Sequence, residues 1–126
     1  MSEHSIKSID TVVNLNTKER LALRGEGFNT SQQTFRKQSV YQTGTTPTEL
    51  VERMDEANID RAFLIASKEG SKFDGATWNQ SYEETADVVK QFPDRFYGLA
   101  GIDPLEGMHG VRQLEYAVSE LGFIGA

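Results

Sequence analysis

Apolar residues along the chain fall into two alternating patterns: short continuous runs, and longer stretches with helical spacing. The clearest run is FYGLAGI at 96–102, framed by the helix exit and turn FPDR at 92–95 and by Asp103-Pro104. Pro93 cannot continue a helix, and the residue before Pro104 is pushed out of the helical region. An almost unbroken apolar run of this length predicts a strand covered on both faces, as in a parallel sheet. RAFLIA at 61–66 is a second such run, and FIGA at 123–126 opens another. A shorter, more polar run within 5–15 predicts the first strand. Alternate strand residues share a face, which sets Asp10, Val12, Asn14 and Asn16 on one side and Ile9, Thr11, Val13 and Leu15 on the other. Leu64 and Leu99 are expected in the core.

Between these runs the spacing turns helical. Thr46 is a good N-cap, Pro47 suits the first helical position and Glu49 completes a capping box. Leu50, Val51, Met54 and Ala57 then form one stripe, and Asn58 suits a left-handed C-terminus. Ser81 and Glu84 predict a second capping box, followed by Tyr82, Thr85, Ala86, Val89 and Phe92 on one face. A third helix is expected from about Gly107, with Met108, Val111, Leu114, Val118 and Leu121 inward and Gly122 as its terminator.

Two connections are long. Residues 17–46 show no sustained period, although Lys18 to Leu23 has room for a turn or two of helix. A connection of about thirty residues exceeds the usual limit of about 12 to 15 and reads either as a functional lid or as disorder. Residues 67–80, SKEGSKFDGATWNQ, form the second, with the chain's single Trp at position 78. Strands alternating with helices imply right-handed crossovers and a parallel sheet. The fold class is α/β, one partial domain over 1–126. A TIM-like (β/α)8 barrel needs about 250 residues, so these parallel β/α repeats predict its N-terminal half. An open doubly wound sheet of four strands is the alternative.

Composition narrows the function classes. The 126 residues include no cysteine, which excludes disulfides, thiolate metal sites and a cysteine nucleophile. No segment approaches the roughly 20 apolar residues of a membrane span, and MSEHSIKS has no apolar run of a leader, so a cytoplasmic protein with no membrane contact is expected. Without export, the acceptor patterns at Asn29 and Asn79 carry no meaning. Net charge is −6, unevenly spread: residues 1–46 carry six Lys and Arg against four Asp and Glu, residues 47–126 seven against fifteen. So acidic a body argues against nucleic acid as a partner. The basic excess of the first third reads as solvated loop charge.

With these elements placed, the chain resembles the N-terminal half of the amidohydrolase-related superfamily, in particular its aminocarboxymuconate semialdehyde decarboxylase-like branch. The resemblance is carried by Ile9-Asp10, LVERMDEANIDRAFLIA at 50–66, FPDRFYGLAGIDP at 92–104 and AVSELGFIGA at 117–126. It implies a barrel whose divalent metal, such as zinc, activates water for hydrolysis or supports decarboxylation of an aromatic or muconate-like acid. In that family the first strand reads Asp-x-His-x-His, two imidazoles on one face binding one cation. Here the matching positions are Val12 and Asn14. Neither supplies an imidazole, so no metal or other cofactor is expected in this chain.

The candidate substrate-binding residues are Asn14, Asn16, Ser67, Lys68 and Asp103, at the strand ends that meet the pocket of such a barrel. The blander reading of the asparagines and Asp103 is polar strand ends and Asx turns. His4 and His109 read as solvated, and Gly25-Glu26-Gly27 lacks the third glycine of a dinucleotide loop. Trp78 suits a loop pinned to the core. The functional expectation is a truncated or split hydrolase or carboxy-lyase, inactive alone, that takes a small acid and pairs with a complementing C-terminal half. The alternative is a metal-free binding or structural module that dimerises through its half-barrel edge. A self-contained domain holding a small anion at the strand ends ranks third.

Overall fold

A computed structural model describes residues 7–24, 43–70 and 78–126. The chain runs β1 (Ser8–Val13), α1 (Lys18–Ala22), α2 (Pro47–Glu56), β2 (Ile59–Ala66), β3 (Lys68–Glu69), β4 (Trp78–Asn79), α3 (Tyr82–Gln91), β5 (Phe96–Ala100), a 3-10 turn (Pro104–Glu106) and α4 (Met108–Ser119). β1, β2 and β5 form a parallel sheet in that order, with β2 in the middle. β2 and β5 pair without interruption from Ala62 opposite Phe96 to Ala66 opposite Ala100. Residues 123–126 begin a further parallel strand against β5, where Ala100 N donates to Gly125 O at 2.9 Å and Ile124 N to Gly98 O at 3.0 Å.

The helices start where their caps require. Thr46 and Glu49 form the full capping box, Pro47 opens α2, and Asn58 takes a positive φ of 55° beyond it. Ser81 accepts from Glu84 N, but the reciprocal half of that expected box is missing, because the Glu84 carboxylate turns instead to Arg20.

Among the described residues, only one face of the sheet is fully covered. Ala62, Leu64, Ala66, Phe96 and Ala100 are buried beneath helices and the 123–126 segment, in two clusters that also hold Leu15, Met54, Val88 and Tyr82, Ala86, Ala117, Phe123. On the opposite face Phe63, Ile65, Tyr97 and Leu99 are half-buried. The expectation of strands covered on both faces is therefore corrected, and Leu99 with it. The apolar runs do have two dry-seeking faces, but the described helices pack on one.

Two further expectations change. β1 carries an irregularity between Asp10 and Val13, with Asp10 opposite Ala62 and Val13 opposite Leu64, so three residues span what β2 spans in two. Strict alternation breaks there. Val13 and Leu15 pack on the Leu64 side, so Val12, 67% exposed, and Asn14 fall on the open face. Asp10 no longer shares a face with them; its Oδ1 accepts from Val12 N at 3.1 Å. In α4 the stripe that faces inward is Gly110, Leu114, Ala117 and Leu121, whereas Met108, Val111 and Val118 are exposed. Both stripes have helical spacing. The small residues prevail because they let the helix approach its neighbours closely. Within 67–80, β3 and β4 pair as a short antiparallel ladder, and α1 occupies the start of 17–46. Residues 25–42 and 71–77, the remainder of the two expected loops, lie outside the described residues.

Leu64 is 1% exposed, so Leu64→Ala should cost about 2 to 5 kcal/mol in urea denaturation, and Leu99→Ala distinctly less. A Cβ on Gly98 would lie 2.5 Å from the Phe123 ring, so Gly98→Ala should also lower the melting temperature by displacing that ring. Equal losses for the two leucine variants would show that the open face is covered in solution.

Candidate functional site

Parallel strands deliver their C-terminal ends to one edge of the sheet, and the polar residues of the chain gather there. Ser67 and Lys68 leave β2, Asp103 follows β5, and Asn14 and Asn16 follow β1. The exits of β2 and β5 are held together by Gly101 N donating to Ala66 O at 2.9 Å, an approach so close that a Cβ on Gly101 would sit 2.3 Å from that oxygen. Tyr82 OH, from the first turn of α3, donates to Gly101 O.

Across this junction Lys68 Nζ meets Glu106 Oε2 at 2.6 Å, with side chains only 12% and 21% exposed. Glu106 is presented by the 3-10 turn, which Asp103 caps by accepting from Leu105 N at 2.9 Å. The ammonium also lies 5.4 Å over the Tyr82 ring. Burial works to lower the Lys68 pKa, but the hydrogen bond to Glu106 and the nearby Tyr82 oxygen outweigh it, and the net direction is upward. Ser67 Oγ donates to Glu69 Oε1 at 3.4 Å.

A buried arginine lies at the exit of β1. Arg20, 7% exposed, donates from Nη1 to Leu15 O at 3.0 Å and Gln80 Oε1 at 3.1 Å, from Nη2 to Thr85 Oγ1 at 3.2 Å, and from Nε to Glu84 Oε2 at 3.4 Å. Burial pushes its pKa down, and the charge of Glu84 opposes that. The guanidinium thus ties the end of β1 to the start of α3 through α1. One turn further on, Arg24 pairs with Glu69 at 3.1 Å and stacks 3.6 Å above the Trp78 ring, which fixes the β3–β4 ladder to α1. Trp78 pins its connection to an arginine.

Of the five expected residues, Ser67, Lys68 and Asp103 converge on one junction. Asn14 is exposed at the neighbouring strand exit, and Asn16 is half-buried there, with its Oδ1 buried and unpartnered. Gln80 Nε2 is likewise buried without a partner. His109 is exposed, and His4 and Gly25-Glu26-Gly27 lie outside the described residues. Among the described residues no three His, Cys, Asp or Glu side chains come together to hold a metal ion. Val12 has no donor atom and Asn14 only a neutral amide, so these residues do not fit a divalent metal. Also among the described residues, no helix is long and apolar enough to cross a membrane.

Arg20, Gln80, Tyr82, Thr85 and Glu106 were not singled out as site residues from sequence. Arg20 departs from the reading of the first third's basic excess as solvated charge, and its nearest signal was the short helical stretch it occupies, whereas Lys7 and Lys18 are exposed.

No family model and no curated protein matches the sequence. Solved structures do. The chain superposes on 5-carboxyvanillate decarboxylase of Novosphingobium aromaticivorans, complexed with manganese and 4-hydroxy-3-methoxy-5-nitrobenzoic acid, with a TM-score of 0.72 and 20% identity over 99% of this chain and 42% of that one. It matches a putative amidohydrolase from Staphylococcus aureus with a TM-score of 0.57 and 20% identity over 96% of this chain and 36% of that one. An uncharacterized TIM-barrel protein of Bordetella bronchiseptica gives 0.56 and 21% over 94% and 42%. The half-barrel fold expected from sequence therefore holds in three dimensions. The fold is a partial, open version of a TIM-like barrel, and the chain spans about two fifths of the length of these neighbours.

Arg20→Met would strand the Gln80, Thr85 and Leu15 oxygens, and should cost on the order of 3 kcal/mol by urea denaturation. Arg20→Lys cannot reproduce the fork and should recover little of that. Glu84 is 66% exposed, so Glu84→Gln should cost less than about 1 kcal/mol. Full recovery in Arg20→Lys would reduce the arginine to a point charge.

Proposed function

We propose that this chain supplies the acid-binding strand ends of a decarboxylase- or hydrolase-type barrel acting on a small aromatic or muconate-like acid, and turns nothing over by itself. The observation that carries this reading is the half-buried Lys68 ammonium at the joined exits of β2 and β5, in a fold shared with a 5-carboxyvanillate decarboxylase. An ammonium at that depth binds a carboxylate with little competition from water. Ser67 Oγ and the Asp103 carboxylate lie at the same exits and can hydrogen-bond ring substituents. Asn16 Oδ1, buried and unpartnered, is an acceptor suited to a hydroxyl on the same ligand. The chain's own contribution is to bind and orient the acid; no step within it runs through a metal, because its described donors do not fit one.

Titration with 5-carboxyvanillate or 2,6-dihydroxybenzoate, followed by amide chemical shifts, should move Ser67, Lys68 and Asp103. Carbon dioxide release should stay at background, with or without manganese. Shifts confined to other regions would overturn the reading, as would turnover by the chain alone.

A second reading is favoured by one observation. The 123–126 segment pairs with β5 on one side, and Met108, Val111 and Val118 are exposed nearby along α4. In this reading the chain is a metal-free module that associates with itself through this edge. Sedimentation across a concentration range should then reveal a dimer unaffected by zinc, manganese or chelator. A monomer at all concentrations would remove it.

A further inference from the structure

We infer that Glu106 is an internal stand-in for the ligand's carboxylate, so that an acid reaches Lys68 only by displacing it. The inference rests on the acid-binding reading of these strand ends and deepens it. Lys68 Nζ is already matched by a carboxylate oxygen at 2.6 Å, in a geometry that an external carboxylate would have to reproduce. With Lys68 12% exposed and Glu106 21% exposed, the pair leaves little of the ammonium open to a second anion. Among the described residues the ammonium also meets Tyr82, through its ring and its nearby oxygen, and the Tyr82 hydroxyl donates to Gly101 O. Tyr82 therefore forms a floor, and Glu106 is the movable wall.

The mounting of Glu106 supports its displacement. It ends a single 3-10 turn, and Gly107 follows at a φ of 53°, in the left-handed region that favours glycine. Lys68 sits on β3 directly after the central strand, and Gly101 fixes the junction between the two exits. The cation is held firmly and its partner by one turn. Exchange of one carboxylate for another keeps the buried charge neutral throughout, which avoids leaving an unpaired ammonium below the surface.

The test measures binding of benzoate to the full chain by amide chemical shifts in wild type, Glu106→Gln, Glu106→Asp and Lys68→Met. Removing the internal competitor should tighten benzoate by about fivefold or more in Glu106→Gln. Glu106→Asp, one methylene shorter, should tighten it by a smaller factor, which keeps the test available if the amide variant fails to fold. Lys68→Met should abolish the response at Ser67 and Asp103. Equal or weaker binding in folded Glu106→Gln, with those amides still moving, would overturn the displacement and leave the acid-binding reading standing. No response at Ser67, Lys68 and Asp103 in wild type or either Glu106 variant would overturn both.

Discussion

A parallel strand with apolar residues on both sides needs a cover on each, and among the described residues the three-stranded sheet has one. Ala62, Leu64 and Ala66 of β2 face the helices and are buried; Arg61, Phe63 and Ile65, which alternate with them, are half-buried. Tyr97 and Leu99 repeat this on β5. The order β1-β2-β5, with 123–126 alongside β5, follows from the same need, because each added strand shields the edge of the last. In the TIM-barrel neighbour the same repeats are part of a barrel, where such a face is filled by side chains from alternate strands. The face that is open here is the face on which Val12 and Asn14 lie.

Polar groups accumulate where the sheet ends because backbone and side-chain hydrogen bonds must be completed there rather than within a ladder. Arg20 illustrates how. Its five donors can be met only by several acceptors at once, and Leu15 O, Gln80 Oε1, Thr85 Oγ1 and Glu84 Oε2 converge from residues up to sixty-five positions away. The Glu84 side chain is withdrawn from its own capping box to take part. A local rule that holds fully at Thr46 and Glu49 is overridden at Ser81 and Glu84 by a buried charge that needs a counter-ion.

This explains what was legible in the sequence. Caps, terminators and apolar runs act over a few residues, so α2, β2, β5, Asn58 and Gly122 could be placed from local pattern alone. The face that α4 presents could not, since Gly110–Leu114–Ala117–Leu121 and Met108–Val111–Val118 have the same periodicity and only packing chooses between them. The shift at Asp10 was hidden for a similar reason: a one-residue irregularity leaves composition unchanged while it reverses side-chain direction. At the strand ends, Ser67, Lys68 and Asp103 followed from topology. Glu106 did not, because its proximity to Lys68 depends on a turn thirty-eight residues later.

Two of the buried or half-buried cations at this edge, Arg20 and Lys68, differ in how they are partnered. Arg20 has four acceptors on three of its nitrogens, so removal of any one still leaves the charge solvated by the others, and its role is to hold β1, α1 and α3 in place. Among the described residues Lys68 rests on one carboxylate, Glu106, and on the ring and oxygen of Tyr82. An ammonium with a single anionic partner is stable only while that partner, or another of equal charge, is present. In the proposed displacement, selectivity for acids would come from the same energetics that keep the pair closed: a neutral ligand in Glu106's place would leave Lys68 uncompensated, and a carboxylate would not.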